Sequence, residues 1–130
     1  MYENLVDRFV KYVKINTRSD EASQTVPSTQ AQVEFAKELM ADLEEIGLAE
    51  VEYTEHNGFV TATLPSNVDY DVPTVGFIAH MDTADFESEN VTPQFVKNYD
   101  GEAIVLDKEQ NVVLSPADFP NMKNYIGNTL

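Results

Sequence analysis

His80 and Asp82, two places apart, are the residues of this sequence best suited to chemistry. Imidazole is a good zinc ligand, and a neighbouring carboxylate commonly fixes the tautomer and orientation of a metal-bound histidine. The pair follows the run Thr74-Val75-Gly76-Phe77-Ile78-Ala79. Bounded by Pro73 and Thr83, this apolar run reads as a strand buried on both faces. Residues i and i+2 of an extended chain point to one side, so His80 and Asp82 project together from the strand's C-terminal end. Open α/β sheets hold their ligands at that edge. The same residues also suit a plainer role, with His80 closing a strand and Asp82 opening a turn.

Other candidates carry less. His56 stands in His56-Asn57-Gly58, and Asn-Gly is a strong hairpin signal, so a turn accounts for it. Asp69-Tyr70-Asp71 lacks the glycine and distant glutamate of a calcium loop. Asp85 to Asn90 is an acidic run of the kind that forms a solvated surface. Asn90-Val91-Thr92 has the form of a glycosylation acceptor, which has a use only in a secreted chain.

The elements that must position the pair follow from periodicity. Val6, Phe9, Val10 and Val13 recur at helical spacing, predicting an amphipathic helix over Met1 to Lys14. Glu3 near its start and Arg8, Lys11 and Lys14 towards its end suit the helix dipole. Arg18 to Pro27 is polar and reads as an exposed connection, whose Ser and Thr residues are either solvated or substrate contacts. A second helix starts near Ser28 or Thr29, where Thr29 and Gln32 have the capping-box form. Its buried face is Val33, Ala36, Leu39, Met40, Leu43 and Ile46, and Gly47 ends it. Val51 to Thr54 and Phe59 to Leu64 then alternate as two strands of a hairpin. Beyond the His80 segment, Pro93 to Tyr99, Glu102 to Leu106 and Asn111 to Leu114 read as short strands, and Met122 to Ile126 as a short helix. The expected fold class is α/β: a mixed sheet, made from the hairpin and the Thr74 to His80 strand, flanked by helices.

Composition sets further bounds. The chain has 130 residues, one domain's length, with 42% apolar residues. Its net charge is −15 with only eight Lys and Arg, too few for a basic patch, so no nucleic-acid partner is expected. No stretch approaches the ~20 apolar residues of a membrane span, so no membrane partner is expected either. Met1-Tyr2-Glu3-Asn4 lacks the basic region and apolar core of a secretory signal. The absence of cysteine leaves no disulfide framework and no thiolate metal site. A soluble, cytoplasmic protein is expected.

The order of several short segments resembles a known family. These are Val26-Pro27-Ser28-Thr29, Ala62-Thr63-Leu64-Pro65 with Asn67-Val68, and Gly76-Phe77-Ile78-Ala79-His80-Met81-Asp82-Thr83. They continue with Asn90-Val91-Thr92-Pro93-Gln94, Asn98-Tyr99, Val113-Leu114-Ser115-Pro116, Phe119-Pro120 and Gly127-Asn128-Thr129-Leu130. Together they resemble the N-terminal part of the peptidase T family, tripeptide aminopeptidases among the co-catalytic zinc exopeptidases. The resemblance implies that residues 1–130 are the N-terminal part of a metallopeptidase catalytic domain. It implies that His80 is a ligand to one of two zinc ions and Asp82 the catalytic-site acid supporting it. The implied reaction removes the N-terminal residue of short peptides, the expected substrates.

The family's remaining ligands, its glutamate general base and its inserted dimerisation segment come later in its sequences and have no counterpart here. A catalytic zinc takes about three protein ligands, so this chain alone is expected to bind zinc weakly and to be inactive. An incomplete sheet would also leave an unpaired edge, a template for self-association. The alternative is a non-catalytic acidic binding module, or a subunit completed by another chain.

Overall fold

The computed structural model describes residues 4–84 and 86–130. Met1 to Glu3 of the expected first helix and Asp85 of the acidic loop lie outside the described residues. The fold is α/β, with the chain divided into two compact units, residues 1–91 and 92–130.

The first unit holds helix α1 (Leu5–Val13), helix α2 (Gln30–Ile46) and an antiparallel hairpin of β1 (Ala49–Thr54) and β2 (Phe59–Thr63). Thr29 caps α2, and Gln32 Oε1 accepts the Thr29 N–H at 3.4 Å, as the capping box requires. At the other end the Leu48 N–H donates to Leu43 at 3.1 Å and the Gly47 N–H to Glu44 at 2.9 Å. This Schellman turn needs a left-handed residue, and Gly47 supplies it at φ 96°.

α2 lies against both strands of the hairpin. Ala36 is buried and Val33, Leu39, Met40 and Leu43 are half-buried, as their spacing predicts, but Ile46 is exposed. Phe35 and Asp42 are buried on the side facing α1. The Tyr12 and Phe35 rings meet edge to face with centroids 5.1 Å apart. Asp42 accepts both Lys11 Nζ, at 2.8 and 2.9 Å, and the Tyr12 hydroxyl, at 2.7 Å. This buried carboxylate is held below its ordinary pKa by the bond from Lys11 and then by that from Tyr12. Burial, followed by the bond to Asp42, pushes the Tyr12 hydroxyl up to about 12.

The hairpin turn uses Glu55 to Gly58, with the Gly58 N–H donating to Thr54 O at 2.8 Å and the Phe59 N–H to Asn57 Oδ1 at 3.0 Å. Gly58 sits at φ 71°, and a Cβ there would lie 2.6 Å from Pro27 Cγ. The turn and the connection before α2 therefore pack together at a point open only to glycine. A bulge in β1 between Ala49 and Glu52 accompanies Glu50 at φ 53°.

The expected strand over Thr74 to His80 is the main departure. The segment forms neither helix nor strand, and among the described residues no backbone hydrogen bond joins it to another strand. Phe77 is 95% and Ile78 101% exposed. A strand needs a partner for its N–H and C=O groups, and the sheet of β1 and β2 stops at those two strands.

The second unit holds an antiparallel hairpin of β3 (Ile104–Asp107) and β4 (Val112–Leu114), then a 3-10 helix, Pro120–Tyr125. Tyr99 is its buried centre, with the hydroxyl donating to Glu102 O at 2.8 Å. The stretch Pro93 to Tyr99 is not a strand. Asn98 at φ 51° interrupts it, and instead Val96 exchanges bonds of 2.9 and 3.0 Å with Leu130. The short helix expected at Met122 to Ile126 is this 3-10 turn, begun by Pro120.

Candidate functional site

The site is built where the connection between α1 and α2 meets the end of the His80 segment. Gln32, buried in the first turn of α2, donates its Nε2–H to Thr17 O at 3.1 Å. The same Thr17 carbonyl accepts the Thr83 N–H at 3.3 Å, and the Ser19 N–H donates to Thr83 O at 3.1 Å. Arg18 and Thr83 thus form an isolated parallel bridge. The capped end of α2 holds Thr17, and Thr17 in turn holds the backbone just after Asp82.

His80 and Asp82 lie side by side, with His80 Nδ1 2.9 Å from Asp82 Oδ1. The other oxygen, Oδ2, accepts a hydrogen bond from the Ser19 hydroxyl. Asp82 is held below the ordinary carboxylate pKa first by the Ser19 bond and then by the His80 bond. An ionised carboxylate only accepts, so Nδ1 of a neutral His80 carries the proton and Nε2 keeps a free lone pair. The His80 side chain is 81% exposed and that of Asp82 40% exposed, so the pair opens to solvent.

Beside the pair is an open cleft of about 500 Å³. Ser28 and Gln32 at the start of α2, Gly58 and Phe59 at the hairpin turn, and Phe77 to Asp82 contribute to its walls. Its lining includes the apolar Leu39, Phe59 and Ile78, and His80, Asp82 and Ser19 are among its polar groups. His56 stands exposed in the hairpin turn and does not line the cleft, which leaves it the turn role its neighbours suggested.

A zinc ion fits His80 as a ligand of the usual kind: a neutral imidazole, oriented by a carboxylate on its second nitrogen. The residues present do not make a whole site. Among the described residues, no three His, Cys, Asp or Glu side chains come together as a metal-holding group.

Ser19 was not distinguishable in the sequence from the polar connection around it. It lies 63 residues from Asp82, and no periodicity links them. The structure takes it out of the solvated loop and sets it half-buried against the site.

No family profile matches the chain. Individual proteins do. It is 62% identical over 131 residues to a protein named Peptidase T from Enterococcus faecalis, covering 100% of the chain and 32% of that protein. It is 60% identical to the Peptidase T of Fusobacterium nucleatum, over 99% of the chain and 31% of that protein. To that of Latilactobacillus sakei it is 58% identical, over 99% of the chain and 32% of the relative. The chain spans about a third of the length of these curated relatives. The alignments span essentially the whole chain, the His80 segment included, so its sequence is similar to about a third of each of these Peptidase T proteins.

Proposed function

We propose that this chain supplies part of the active site of a cytoplasmic, zinc-dependent aminopeptidase that removes the N-terminal residue of tripeptides. The observation that carries the reading is the His80 Nδ1 to Asp82 Oδ1 contact at 2.9 Å, which leaves Nε2 available to a metal. The Peptidase T name of relatives up to 62% identical supports the reaction class. Zinc bound in such an enzyme polarises the scissile carbonyl and lowers the pKa of water. Within that chemistry His80 binds the metal, Asp82 holds the imidazole in the right tautomer, and the cleft beside them receives a short peptide.

The same reading makes residues 1–130 inactive alone, because one histidine is well short of the roughly three protein ligands a catalytic zinc takes. Among the described residues no other His, Cys, Asp or Glu cluster completes the set. The test is an aminopeptidase assay of the purified 130-residue chain on a tripeptide, with and without added zinc. No release is expected, and robust chelator-sensitive release overturns the reading.

Two copies of the chain are proposed to associate along the segment from Pro73 to His80. Its unpaired backbone and the exposed Phe77 and Ile78 side chains support this, since such an edge pairs with its like. No nucleic-acid partner is proposed for a chain of net charge −15. No membrane partner is proposed; among the described residues no helix is long and apolar enough to cross one.

A further inference from the structure

We propose that Ser19 is a positioning residue of this site, its hydroxyl locking the Asp82 carboxylate in the orientation that holds His80. The inference rests on the reading of His80 and Asp82 as a functional pair, and it adds the group that keeps the pair in register.

The need for such a group follows from where the pair stands. The segment carrying His80 has no ladder partner among the described residues, so its own backbone does little to fix its side chains. A carboxylate with a single partner turns freely about its last torsion, which is broad and roughly two-fold. Asp82 has a partner on each oxygen: His80 on Oδ1 and Ser19 on Oδ2. Two partners on opposite oxygens fix the plane of the carboxylate, and with it the direction of the imidazole.

Ser19 is itself fixed by the fold. Its N–H donates to Thr83 O at 3.1 Å, and Thr83 returns to Thr17 O at 3.3 Å. Thr17 is buried and held by the buried Gln32 of α2. A hydroxyl has one proton to give, and Thr83 O, 3.3 Å from Ser19 Oγ, is the competing acceptor. The ionised Asp82 wins, because a charged acceptor makes the shorter and stronger bond. The path from helix to imidazole is therefore Gln32, Thr17, Thr83 and Ser19, Asp82, His80, in which Ser19 gives the side-chain link to Asp82.

The test reads the tautomer of His80 without metal or substrate. Long-range proton–nitrogen NMR of the 130-residue chain, at a pH where both imidazoles are neutral, distinguishes a protonated Nδ1 from a protonated Nε2. The sequence has two histidines, so His56 in its exposed turn serves as the internal reference. In the wild type, His80 is expected with the proton on Nδ1. Ser19→Ala is expected to move it towards the solution-like mixture of His56, while Ser19→Thr, which keeps the hydroxyl, preserves the wild-type signal. An unchanged His80 signal in Ser19→Ala, with the signal lost in Asp82→Asn, overturns the role of Ser19. Unchanged far-ultraviolet circular dichroism in all three variants separates positioning from folding. Adding zinc chloride to the wild type while following His80 Nε2 tests the metal reading by itself. A missing response there overturns that reading, and the tautomer comparison still decides Ser19.

Discussion

Asp82 Oδ1 meets His80 Nδ1 at 2.9 Å, at the end of a segment that belongs to no sheet among the described residues. Among the described residues, no third His, Cys, Asp or Glu joins the pair in a metal-holding group. The pair's support comes from the α1–α2 connection, through Ser19, and not from a strand ladder.

Asp42 is the structural counterpart of that pair. It is buried and accepts Lys11 and Tyr12, so it ties α1 to α2. Asp42→Ala leaves the Tyr12 hydroxyl without its acceptor and is expected to destabilise the chain by about 1–2 kcal/mol, the scale for a broken, partly buried hydrogen bond. Urea unfolding of the variant against wild type measures this.

The same group sets a dependence on pH. The folded-state pKa of Asp42 is lowered by Lys11 and then Tyr12, so its stabilisation is fully present above the unfolded value, ~3.9. It is lost as pH falls from there through the folded value. At the other extreme Tyr12 is raised to about 12, so its contribution is present below its ordinary value near 10 and lost as pH rises through 12. Urea midpoints across the acid range should fall for the wild type and fall less steeply for Asp42→Asn. Parallel slopes would contradict the assignment.

Gly58→Ala combines two penalties. Its φ is 71°, and the new methyl would lie 2.6 Å from Pro27 Cγ. A loss of about 1–3 kcal/mol is expected from backbone strain of this kind. Gly47→Ala, which also has a positive φ but nothing within 4 Å, should cost less. Thermal or urea unfolding of the two variants ranks them.

These elements show what local sequence carries. Thr29 with Gln32 and Gly47 bound α2 because caps act over three or four residues, and Asn57-Gly58 marks a turn for the same reason. His80 and Asp82 were legible as a pair because an extended chain puts i and i+2 on one side. Ser19 was not, being 63 residues away from its partner, nor was Asp42, whose partner Lys11 lies 31 positions away on the other helix. Val75 to Ala79 has the composition of a buried strand, but a strand is a relation between two segments. Nothing inside the run says whether its partner is at hand.

That unpaired run gives the prediction for association. Sedimentation velocity of the 130-residue chain should show species larger than the monomer, increasing with salt because a net charge of −15 on each copy opposes contact. Replacing Phe77 and Ile78 with lysine should shift the population back to monomer, since charge on an edge blocks pairing. A monomeric wild type at all salt concentrations, unfolding cooperatively, would refute it.

On the proposed function, His80 belongs to a zinc site of which residues 1–130 supply only part. Native mass spectrometry after zinc loading, on wild type and His80→Ala, tests it most directly. No tightly held zinc is expected on either chain, with weak binding reduced in the variant. Two zinc ions held tightly by the wild type and lost from His80→Ala would contradict it, because a complete site would then lie within these residues.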